Sequence, residues 1–309
     1  MQTFMPEGRN AERPPITLST LSEAMERRRI LEAKAIMCDS EHNLKVDLYG
    51  IRGVIPREEG AVGIREGSVR DIALISRVNK PVCFTVSRVT QECGKPTALL
   101  SRRDAQEKCA AEYIAQLQVG DIIPARVTHL ENFGAFCDIG CGVIALMPID
   151  AISVSRISHP RDRFVAGDDI YAVVRAIDEN GRISLSHREL LGSWQQNADR
   201  FMQGQTVSGI IRTVEDYGVF VELTPNLAGL AELKSGVVPG QQASVYIKSI
   251  IPEKMKIKLI IIDSFDASYD PPQIEYFFDG DHLDSWRYSP ESCSKRIETS
   301  FNDAYAKTT

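Results

Sequence analysis

The sequence predicts a mainly β protein: three small tandem units of about five short strands each, joined by short helices and followed by a C-terminal extension. An internal repeat is the first reason. Aligning Gly120 with Gly204 brings Phe133 onto Tyr217, Gly134 onto Gly218, Phe136 onto Phe220, Asp138 onto Glu222 and Leu146 onto Leu230 without a gap. Fixed-period self-similarity of this kind marks tandem structural units. The second reason is strand character, since short alternating runs broken by glycine turns suit small barrels or sandwiches. The third is that the stretches between units have helical composition or spacing.

The elements follow in chain order. Residues 1–19 are mostly polar around a Pro14-Pro15 pair and are expected to be disordered. Thr20-Leu21-Ser22-Glu23 has the spacing of a capping box at a helix start. The first unit, 20–103, is a degenerate copy. Its first strand is expected from Ile30 to Met37, Val46-Asp47-Leu48 resembles Cys137-Asp138-Ile139, and Gly53-Val54-Ile55-Pro56 resembles Ala145-Leu146-Met147-Pro148. Residues 104–117, rich in Ala, Gln and Glu, read as a linker helix. The second unit spans 118–188. In 189–202 Leu191, Trp194, Ala198 and Phe201 lie near helical spacing, which predicts a second linker helix. The third unit, 203–262, is shortened: Leu146 to Gly167 is 21 residues, but Leu230 to Gly240 is only 10. Paired closing strands are expected over Ile170–Ile177 with Arg182–Ser186, and over Ala243–Ile251 with Lys256–Ile260.

Charge is uneven along the 309 residues. The net charge is −6, yet the tail from Asp263 onward holds 10 acidic and 4 basic residues, leaving 32 of each sign in the first 262. The acidic balance is therefore no objection to phosphate binding by the body of the chain. No apolar run is long enough for a transmembrane helix, and the start lacks the apolar stretch of a secretory signal, so a cytoplasmic protein is expected. The seven scattered cysteines form no Cys-x-x-Cys and read as reduced, buried thiols. Asp279-Gly280-Asp281 superficially suggests a calcium loop but lacks the other ligand positions. With no nucleophile elbow, phosphate-binding loop or His-Glu-x-x-His, no enzyme, metal or cofactor is expected.

Asn132-Phe133-Gly134-Ala135-Phe136, Ser158-His159-Pro160 and Gly181-Arg182-Ile183-Ser184-Leu185-Ser186 resemble the S1-type RNA-binding domain, and Asp216-Tyr217-Gly218-Val219-Phe220-Val221-Glu222 repeats the first of these motifs. The resemblance covers roughly 20–262, weakly in the first unit. The three-unit layout is similar to short ribosomal-S1-like proteins of bacteria. It implies that each unit is a five-stranded OB-fold barrel and that exposed aromatics stack the bases of single-stranded RNA.

By that resemblance the stacking pair falls on Phe133 and Phe136 in the middle unit and on Tyr217 and Phe220 in the third. The acidic and basic hairpin positions fall on Asp178 and Arg182. In the third unit the basic position is Lys256 and the acidic one is Ile251 or Pro252. His159 belongs to the motif, although a loop histidine capping a turn is the competing reading. A position where the family often has His is Pro148 in the middle unit and Glu232 in the third. The first unit has no aromatic pair; His42 and Lys45 align there instead. The expected function is single-stranded RNA or mRNA binding in translation or mRNA handling, with the small ribosomal subunit as a candidate setting. The alternatives are a protein-interaction adaptor docking on a ribosome or ribonuclease complex, and a regulatory module of an RNA-processing enzyme. The aromatic tail, 263–309, is expected to fold back on the third unit or to dock a partner protein. Oligomeric state is not legible.

Overall fold

In the computed structural model the described residues are 4–9, 15–92, 95–267 and 274–302. They build three closed five-stranded barrels and a two-stranded sheet. The first barrel comprises β1 (Leu31–Cys38), β2 (Leu44–Leu48), β3 (Ile51–Ile55), β4 (Pro81–Glu92) and β5 (Lys95–Ser101), in the order β1-β2-β3-β5-β4. The middle barrel has β6 (Ile122–Glu131), β7 (Gly134–Asp138), β8 (Ile144–Pro148), β9 (Asp169–Ile177) and β10 (Ile183–Ser186). The third has β11 (Thr206–Glu215), β12 (Gly218–Thr224), β13 (Leu227–Ala231), β14 (Gln242–Ile251) and β15 (Lys256–Phe265). In all three the third strand lies beside the fifth and runs parallel to it. The tail adds β16 (Ser285–Arg287) and β17 (Glu298–Ser300), paired antiparallel. No helix among the described residues is long and apolar enough to cross a membrane.

The chain divides into two compact units, comprising the described residues within Met1–Leu117, Pro124–Arg126 and Asp138–Ile144, and those within Gln118–Ile123, Val127–Cys137 and Ala145–Thr309.

In the first unit, strand alternation drives Ala35, Leu44, Val46, Leu48, Ile55, Phe84 and Leu100 into the barrel core. Helix α1 (Leu18–Glu26) starts earlier than the Thr20 capping box predicts. Thr17, extended after Ile16, is the N-cap and its hydroxyl accepts from Thr20 N at 3.2 Å. This start buries Leu21 and Ala24 on one face. After α2 (Ile72–Ile75), α3 (Arg102–Glu112) begins two residues before the expected linker, because Ser101 caps it by accepting from Asp104 N.

Disorder does not extend over all of 1–19. Residues 1–3 and 10–14 lie outside the described part, but Phe4 and Glu7 are buried. Arg102 donates to both Glu7 carboxylate oxygens at 2.7 and 2.9 Å, and Arg77 pairs with the same group at 3.3 Å. The two guanidiniums hold that carboxyl below its usual range despite burial. Glu7 N donates to Asp138 at 2.7 Å.

In the second unit, Val127, Ala135, Cys137, Ala145, Met147, Val174 and Leu185 are buried in the middle barrel, and Ile211, Val219, Val221, Val245, Ile257 and Leu259 in the third. The linker expected as one helix over 189–202 is a 3-10 turn, Arg188–Leu191, then α4 (Trp194–Ala198). Gly192 between them breaks the helix with φ +81°. The last strand of the third barrel continues to Phe265, past the expected boundary at 262.

The tail folds back on both barrels of this unit, not on the third alone. Tyr276, Phe278 and Phe301 pack with Ile122, Val173 and Leu190 of the middle barrel and its following turn, while Trp286, Tyr288 and Ile297 join the core of the third. Asp281, which looked like part of a calcium loop, accepts from Ile122 N through its carbonyl at 2.8 Å. Six free cysteines are described, five of them buried, and Cys93 lies outside the described residues.

Candidate nucleic-acid interface

The first and third barrels each carry an outward row of residues standing opposite one another across five strands. In the third barrel the row runs Thr213, Phe220, Leu230, Lys258, Ser249. Directly opposite residues share a face, so an aromatic ring and an ammonium lie one strand apart, with Leu230 between them. Lys256 precedes Lys258 by two residues and is exposed on the same side. Tyr217, in the turn before β12, is 69% exposed, and its ring lies 6.1 Å from that of Phe220 at 88°.

The middle barrel repeats the pair. Phe133 is 56% exposed and meets Phe136 edge to face, 5.9 Å between centroids at 89°. Neither Phe136 nor Phe220 is buried, so these four rings are not core. His129 on β6 also stacks on Phe136, 6.3 Å between ring centres and 26° from parallel. It occupies the place of Thr213 in the repeat. Sequence reasoning passed over it, although the same alternation that places Phe136 outward was the signal.

The glycine of each aromatic motif has a steric reason. A Cβ on Gly134 would lie 2.4 Å from Met147 O, and one on Gly218 would lie 2.6 Å from Ala231 O. Only glycine lets the second strand approach the third this closely, and that approach brings the preceding ring beside the one two residues beyond.

Asp178 and Arg182 close the β9–β10 hairpin. The Asp178 carboxylate accepts from Asn180 N at 2.9 Å and Arg182 N at 2.8 Å, so it is committed to the turn. The Arg182 side chain is exposed and makes no ion pair among the described residues. Ser184, two residues on, stands opposite Leu146 on β8, so Arg182 occupies the place that Lys256 has in the third barrel. His159 is elsewhere: its Nδ1 accepts from Arg161 N at 3.0 Å and caps the 3-10 turn Pro160–Asp162. No contact among the described residues joins it to the aromatic row. Glu232 pairs with Lys248 at 3.6 Å on the surface.

The corresponding row of the first barrel runs Met37, Lys45, Val54, Leu99, Arg88. Lys45 stands where Phe220 stands in the third barrel, and Asp39 engages it at 2.9 Å. Met37 is 50% and Leu99 41% exposed. This row joins three aliphatic side chains to the cations Lys45 and Arg88 and has no ring to stack on.

Such geometry offers flat π surfaces beside exposed cations, which suits unstacked bases and their phosphates. Residues 116–188, which contain the middle barrel, match the family model of the S1 RNA binding domain. The chain is 35% identical over 196 residues to small ribosomal subunit protein bS1 of Leuconostoc lactis, covering 62% of this chain and 44% of that one. It is 28% identical over 260 residues to small ribosomal subunit protein bS1 of Staphylococcus aureus, covering 79% and 64%. The chain thus spans less than two thirds of the length of these relatives. Among solved structures it is similar to a multidomain protein with nucleic acid binding domains from Streptococcus pneumoniae, at 17% identity and a TM-score of 0.25, covering 78% of this chain and 76% of that one.

Proposed function

We propose that this chain binds single-stranded RNA by stacking bases on the aromatic pairs of its middle and third barrels. The reading extends to translation or mRNA handling in the cytoplasm, with the small ribosomal subunit as its setting, and to binding without catalysis. One observation carries it. The same exposed edge-to-face ring pair recurs at equivalent places in two barrels, with a cation on the neighbouring hairpin each time. Large exposed aromatics are costly to leave in water unless a ligand uses them. The S1 domain match over 116–188 and the likeness to protein bS1 support the same reading.

The test is fluorescence anisotropy of a labelled single-stranded RNA of about 12 nucleotides, comparing wild type with Phe133→Ala/Phe136→Ala. Circular dichroism checks that the variant is folded. The expected loss is about tenfold or more, the roughly 1.4 kcal/mol of at least one stack. Absence of wild-type binding at low salt overturns the proposal.

A second reading, protein docking, has the first barrel in its favour. The aliphatic members of its row, Met37, Val54 and Leu99, with no ring beside them, suit a protein surface better than bases. Charge substitution at Leu99 then weakens a protein contact and leaves RNA binding unchanged.

A further inference from the structure

Three segments far apart in sequence converge on one residue. Asn226, in the β12–β13 turn, is fully buried. Its Oδ1 accepts from Val154 N at 2.9 Å, in the long connection of the middle barrel. Its Nδ2 donates to Arg188 O at 2.8 Å and Gly192 O at 3.1 Å, in the linker. The Tyr288 hydroxyl of the tail donates to its backbone carbonyl.

A buried ion cluster lies on the same two barrels. Arg163, from the middle barrel's connection, donates to Glu222 on β12 and to Pro225 O. Arg212 on β11 grips Glu222 with two bonds of 2.9 and 3.0 Å and pairs with Asp162 at 3.2 Å. The Arg163 and Glu222 side chains are each 3% exposed. Buried charges of this kind are paired in one arrangement and penalised in others. A flexible tether between independent barrels would need none of them.

We infer that the middle and third barrels form one rigid, bipartite site for a single continuous strand of RNA, long enough to reach both aromatic pairs, with Asn226 and Arg163 as its positioning residues. The inference rests on the RNA-binding reading above. Holding the second pair in a fixed place makes its engagement intramolecular once the first is occupied. It also spares the ordering of one barrel against the other during binding. The tail contributes to the same body, because Tyr276 and Phe301 pack on the middle barrel while Tyr288 packs on the third.

The experiment titrates full-length protein with labelled oligouridylates of about 6, 12, 18 and 24 nucleotides, bracketing the site sizes usual for one and two OB barrels. Wild type is compared with Asn226→Ala and Arg163→Ala, and 15N relaxation follows the tumbling of each barrel. Wild-type affinity is expected to rise at least about tenfold from the shortest to the longest strand. Both variants should lose most of that rise, keep the shortest strand within about twofold, and show barrels tumbling separately. If Asn226→Ala fails to fold, Arg163→Ala carries the test, because Glu222 keeps Arg212 as its partner. A wild type that binds the shortest strand but gains nothing with length overturns the bipartite site and leaves the RNA reading standing. One that binds no strand overturns both. Variants that retain the full gain overturn the positioning role.

Discussion

Leu99 of the first barrel occupies the place of Lys258 in the third: each stands in parallel register with the residue at the same position of its third strand, Val54 and Leu230 respectively. One scaffold thus presents a row without rings in one barrel and a row that joins a ring to a cation in another. What each barrel binds is decided by a handful of outward positions, not by its core.

Removing the ring but keeping the bulk separates stacking from packing. Phe133→Leu should cost about 1–3 kcal/mol of RNA affinity. Because Phe133 is more than half exposed, stability should change by less than about 0.5 kcal/mol. Parallel urea melts and anisotropy titrations check both numbers, and an equal loss in the two would make the ring structural.

Cations that meet phosphate are visible in the salt dependence. Lys258→Ala should lower the slope of log affinity against log salt by about 0.7, the value for one phosphate contact on a single strand. Lys45→Ala should leave it unchanged, since Asp39 already holds that ammonium at 2.9 Å.

Asp138 gives the first unit a distinctive pH response. Burial, then the nearby Glu7 carboxylate, pushes its carboxyl up to about 7. Between the ordinary carboxylate value of about 4 and that value, the folded chain holds a proton that the unfolded chain has released. This group's contribution therefore falls as pH rises through that window. Gly140 N and Gly142 N donate to Asp138 Oδ1 at 2.8 and 3.0 Å, so their amide resonances should titrate with a midpoint near neutrality. A midpoint at the ordinary carboxylate value would show that the buried backbone donors outweigh desolvation.

Gly192 joins the linker to the tail. Its φ of +81° disfavours any side chain, and a Cβ there would lie 2.9 Å from the Phe277 ring. Gly192→Ala should destabilise the second unit by more than about 1 kcal/mol and expose the tail to thermolysin near Phe277. An unchanged digestion pattern would mean that the tail is held elsewhere.

The barrels and the ring pairs were legible because their cause is local. Alternation sets which residues face out, and the Phe-Gly and Tyr-Gly motifs mark where strands approach closely. Lys256 followed from the resemblance, and the strand register then placed Lys258 in one row with Phe220. His129 needed the fold, since its meaning depends on a ring across the strand pair. The Asn226 hub could not be read at all, because Val154, Arg188, Gly192 and Tyr288 meet it through contacts with no sequence period. Likewise, polarity near the start argued for disorder at Glu7, whereas its partners lie 70 and 95 positions away.

Glu7 also makes the segment ahead of the first barrel a sensor of chain integrity. An endopeptidase that cuts between Glu7 and the first barrel severs from it the carboxylate that Arg102 and Arg77 share. Stranding a buried ion-pair partner costs about 3–5 kcal/mol, a large share of what holds an ordinary domain folded. A clipped molecule would therefore lose its first barrel and be cleared as damaged, not persist as a shortened but working copy.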